Sequence, residues 1–181
     1  LACNYLMCTL FAAAFGGAIP APGEGAPLAE GLGLVSGVLF LGSFLLLQWN
    51  ISKKGVVPSA TFMKLGVLVP TAVSLLVFRE QPGALQIAGM VLAILAILLI
   101  NLERGSRRAG SCVGLVQLLG GGSADATAKI FEELGRAPLK DAFLLITFAT
   151  ALVLCVILRF RRKESLAWQD TLFGLLIGVL N

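Results

Sequence analysis

The sequence predicts an all-α fold, a polytopic transmembrane helix bundle, on three observations. Of its 181 residues 57% are hydrophobic and 13% charged, with a mean hydropathy of +0.93, well outside the composition of soluble domains. The charges gather in short islands between apolar stretches of about 20 residues, the length a helix needs to cross a ~30 Å hydrocarbon core. No stretch alternates with period two, and backbone groups in lipid must be satisfied within their own segment, which selects helices over strands.

Seven segments follow along the chain: residues 1–17, 32–51, 56–78, 84–101, 111–131, 142–160 and 167–181. The first ends at the loop AIPAPGEGAPLAEG, whose prolines and glycines break a helix. It lacks the basic flank and the small-residue cleavage site of a signal peptide. The second ends at Lys53 and Lys54, the third carries Pro70 mid-span, and the fourth stops before the basic stretch around Arg104, Arg107 and Arg108. The fifth contains Gly120, Gly121 and Gly122, the sixth ends in Arg159, Arg161, Arg162 and Lys163, and the seventh runs into the last residue.

One motif occurs twice. GLVSGVL, from Gly33 to Leu39, returns as GLLIGVL, from Gly174 to Leu180, at an offset of 141 residues. The same offset matches the first segment to the one beginning near Ala142. The expected organisation is therefore parts of two five-helix repeats, residues 1–105 from the first and 106–181 from the second. The chain starts at Leu1 and stops within an apolar run. A longer protein is expected, with a helix equivalent to 111–131 before Leu1, and the segment alone is not expected to transport.

The run from GVLFLGSFLLLQWNISKKGVVPSATFMKLGVLVP to VFREQPGALQIAGMVLAILAILLI resembles the EamA-type half of the drug/metabolite transporter superfamily. The positions that carry the resemblance are the mid-span Pro70, Glu80 at the end of that helix, and Gln86 and Gly89 of a Q-x-x-G helix. GGGSADATAKIFEE is similar to the first helix of such a repeat, with Lys129 after the glycine/serine break. The resemblance implies inverted repeats, alternating access, and secondary transport of small metabolites or drugs.

Gly33, Gly37 and Leu41 form one ridge, and Gly174 and Gly178 its equivalent, a spacing that lets helix backbones approach closely. Ser36, Ser43 and Asn50 recur every seven residues and make one polar stripe. Thr61, Lys64 and Thr71 share a face of the next helix, where Pro70 leaves a carbonyl without its donor. Facing each other, the stripes line a water-filled path; otherwise they are interhelical contacts of about 0.6 kcal/mol per bond. Lys64 has three readings: a side chain that snorkels to the interface, a structural partner for a carboxylate such as Asp125, or a cavity-facing group that binds substrate. Asp125 and Lys129, four apart, form either a structural pair or a substrate or proton site. Gln48 and Gln117 complete the candidate transport path.

Other functions find less support. Cys3, Cys8, Cys112 and Cys155 form no C-x-x-C pair and the chain has no histidine, so free thiols, no metal and no cofactor are expected. No nucleophile elbow, P-loop or paired carboxylates suggest an enzyme, and no catalytic residue is assigned. A channel or pore-forming subunit, or a membrane-embedded enzyme or accessory protein, are the alternatives to a carrier. Despite a pI near 9.1, the basic residues sit in loops and nucleic acid is not expected. Lys53 and Lys54, Arg104 to Arg108, and Arg159 to Lys163 fill every second loop, whereas the alternate loops carry none, Arg79 alone, or Arg136 and Lys140. The positive-inside rule puts the first set in the cytoplasm. A ten-helix relative with cytoplasmic termini would place AIPAPGEGAPLAEG there instead, and the charge count is preferred. The expected location is the cell membrane, crossed several times. The expected partners are the bilayer and a small-molecule substrate, with a dimer left open.

Overall fold

The computed structural model describes residues 2–15, 25–79, 81–103, 108–162 and 174. Among them the structure is all-helical, without a strand. In order come α1 (Ala2–Phe15), α2 (Ala26–Lys54), α3 (Val56–Lys64), a 3-10 turn (Leu65–Val67), α4 (Leu68–Leu76), α5 (Ala84–Glu103) and α6 (Arg108–Leu134). A second 3-10 turn (Ala137–Leu139) leads into α7 (Lys140–Arg162). Six of the seven expected segments fall on these helices. The seventh, 167–181, lies outside the described residues except for Gly174, which is helical.

Two helices, Ala26–Lys53 and Ala137–Arg161, are long and apolar enough to cross a membrane, and the apolar helices Ala2–Ala14, Phe62–Leu76 and Ala84–Ala96 are shorter. Within the chain 28% and 22% of the two long apolar windows is buried. The core helix of a soluble protein would show the reverse, so these surfaces suit an apolar surrounding.

Local chemistry sets the boundaries. Gly55, at φ +86°, takes the left-handed conformation that a side chain resists and separates α2 from α3. Pro58 falls in the first turn of α3, where its missing N–H is not needed. The Ser59 hydroxyl donates to the Gly55 carbonyl at 2.8 Å. Residues 56–78, expected as one helix, are instead two joined by the 3-10 turn. Pro70 offers no N–H to the Gly66 carbonyl and crowds it from four residues ahead, and the chain tightens there. Before α5 the Gln86 side chain accepts the Gly83 N–H at 3.1 Å, the backward half of a capping box. Gly120 to Gly122, expected as a break, lie inside one continuous α6.

The chain divides into two compact units, one of Leu1–Leu41 and Ile130–Asn181, the other of Gly42–Lys129, with the division inside α2 and α6. In the first, α1 packs on α7, and Tyr5, Cys8, Ser36, Phe143, Thr147 and Ala151 are buried. Gly33 lies against Phe143 and Ile146, and Gly37 against Thr147 and Thr150, so α2 and α7 run parallel across a glycine ridge. Phe131 and Phe143 stack at 4.3 Å and 5°, closing the turn between α6 and α7. In the second unit the buried residues include Ser43, Asn50, Ser59, Phe62, Gln117 and Leu118. Leu46 of α2 meets α6 at Gly120.

Candidate functional site

Among the described residues, charge, a helix break and close backbone packing coincide in the second unit. A Cβ at Gly66 would lie 2.9 Å from the Gly122 nitrogen and 3.2 Å from the Leu118 carbonyl oxygen, while one at Gly122 would strike the Gly66 carbonyl oxygen and Val69. The 3-10 turn is thus pressed against α6 at a point where neither helix has a side chain. The Gly66 carbonyl that faces Gly122 is the one Pro70 leaves without its helical donor. Nearby, the Phe62 ring occupies the space over Gly114, where a Cβ would fall 2.7 Å away.

Lys64 ends α3 immediately before the turn, and Asp125 lies on α6 three residues past Gly122; both are exposed. The Lys64 charge acts on the Asp125 carboxylate. The sequence offered both Lys129, one turn along α6, and Lys64 as partners for Asp125, and Lys64 lies within electrostatic reach of it from the end of α3. Lys129 is partly buried and engaged in contacts of its own. Thr71 is partly buried and its hydroxyl donates to the Val67 carbonyl at 2.8 Å, tying it to its own helix. Thr61 lies on α3 one turn before Lys64, its side chain outside those described.

The polar stripe of α2 faces inward along its length, with Ser36, Ser43 and Asn50 exposed by 0%, 3% and 1%. Ser36 belongs to the first unit and the other two to the second. Gln48 is exposed. Gln117 is buried and its Nε2 donates to the Ser43 carbonyl at 3.3 Å, leaving Oε1 buried without a hydrogen-bond partner. The Ser36 hydroxyl is likewise buried and unbonded, unlike Thr9, Ser59, Thr71 and Thr147, which each donate to the carbonyl four residues back. Cys3, Cys8 and Cys155 are not in disulfides.

Sequence reasoning missed the Gly66–Gly122 crossing. Its signal was there, in a glycine four residues before a proline and a run of three glycines on another apolar segment. The described residues make an all-helical protein with two helices fit to cross a membrane. Comparison of the chain with protein-family models, curated proteins and solved structures finds no match.

Proposed function

We propose that the chain belongs to a multi-pass membrane carrier of small metabolites, built from two inverted repeats like those of EamA-type transporters and working by alternating access. A reciprocal pair of contacts carries this reading. Gly33 packs on α7 between Phe143 and Ile146, and Gly174, its counterpart at the 141-residue offset, packs on α1 at Cys3 and Asn4. The same offset takes Cys3 and Asn4 to Leu144 and Leu145, between the two residues that Gly33 meets. In this reading each repeat's third helix would rest on the other repeat's second helix at the matching height, as a two-fold relation requires. α2 runs parallel to α7; if α1 and α2 cross in opposite directions, α1 and α7 are antiparallel and the axis lies in the membrane plane.

The substrate position in this reading is the α3–α6 crossing. Carriers of this design bind where a spanning helix is interrupted, and the interruption here stands between Lys64 and Pro70, beside Asp125. A charged side chain within a membrane helix costs about 2.5 to 3.5 kcal/mol on insertion scales, a cost that a binding role repays. The test is uptake by the full-length protein in proteoliposomes, screened over metabolites and pH gradients. Lys64→Ala is expected to abolish uptake while insertion and thermal stability stay near wild type, and Lys64→Arg to restore little. Full uptake by Lys64→Ala ends the reading, and loss of folded protein makes Lys64 structural.

A further inference from the structure

We draw no further inference here: the strongest candidate, the buried Gln117 amide between α6 and α2, whose Oε1 has no hydrogen-bond partner, belongs to the candidate site already described, and nothing in the structure shows what would donate to it.

Discussion

The two units use glycine for the same purpose but place different atoms opposite it. In the first unit Gly33 faces the Ile146 side chain at 2.9 Å, with a carbonyl at 3.2 Å behind it. In the second, Gly122 faces the Gly66 carbonyl itself, and Gly66 faces the Gly122 nitrogen. A side chain can rotate or shift by a few tenths of an ångström, whereas a carbonyl moves only with its helix. Both crossings press a glycine onto a carbonyl oxygen, Gly37 onto that of Thr147 and Gly122 onto that of Gly66, so the contrast lies at Gly33, whose nearest atoms belong to a side chain.

The largest expected effect breaks this comparison at its rigid end. Gly122→Ala is expected to destabilise the protein by about 3 kcal/mol, the upper range for overpacking, and Gly33→Ala by about 2 kcal/mol, because Ile146 Cβ and Cγ2 clear only by a small shift of α7. Thermal unfolding of both variants in one detergent gives the order, and equal losses would remove the distinction. Gln86→Ala comes next, with an expected loss of about 0.5–1 kcal/mol from the start of α5, where the Gly83 N–H loses its partner. Accelerated hydrogen exchange confined to the first turn of α5 is the signature. The smallest effect sharpens the reading of the second unit. Gln117→Leu removes one interhelical bond of about 0.6 kcal/mol together with a buried oxygen that has no partner, so the melting temperature is expected to stay within error. A change in uptake without a change in stability would move Gln117 from packing to the transport path.

Much of this was legible in the sequence. Long apolar segments with no period-two pattern mark helices, because a backbone in an apolar surrounding has to bond to itself. Pro70 announced a released carbonyl within one expected helix, but not the 3-10 turn that splits that helix in two. The seven-residue recurrence of Ser36, Ser43 and Asn50 put them on one face, but periodicity gives only that they share a face. Burial at 3% or less came from the packing around them. The glycine triplet was expected as a break from the resemblance alone, and each glycine does cost a helix interior about 1 kcal/mol. In the structure Leu46, Met63, Gly66 and Val69 close on that stretch, and the packing offsets the cost.

By itself the sequence determined which stretches are helical, where glycine and proline punctuate them, and which motif recurs after 141 residues, since all of these follow from local conformational preference and hydrophobic period. It named both Lys129 and Lys64 as partners for Asp125 but could not choose between them, because spacing along a helix reports contacts within that helix alone. The placing of Asp125 within electrostatic reach of Lys64, the Gly66–Gly122 crossing and the contacts of Gly33 and Gly174 were decided by tertiary structure. Each joins residues far apart in the chain, and only the packing of helix on helix selects among the many partners that their chemistry allows.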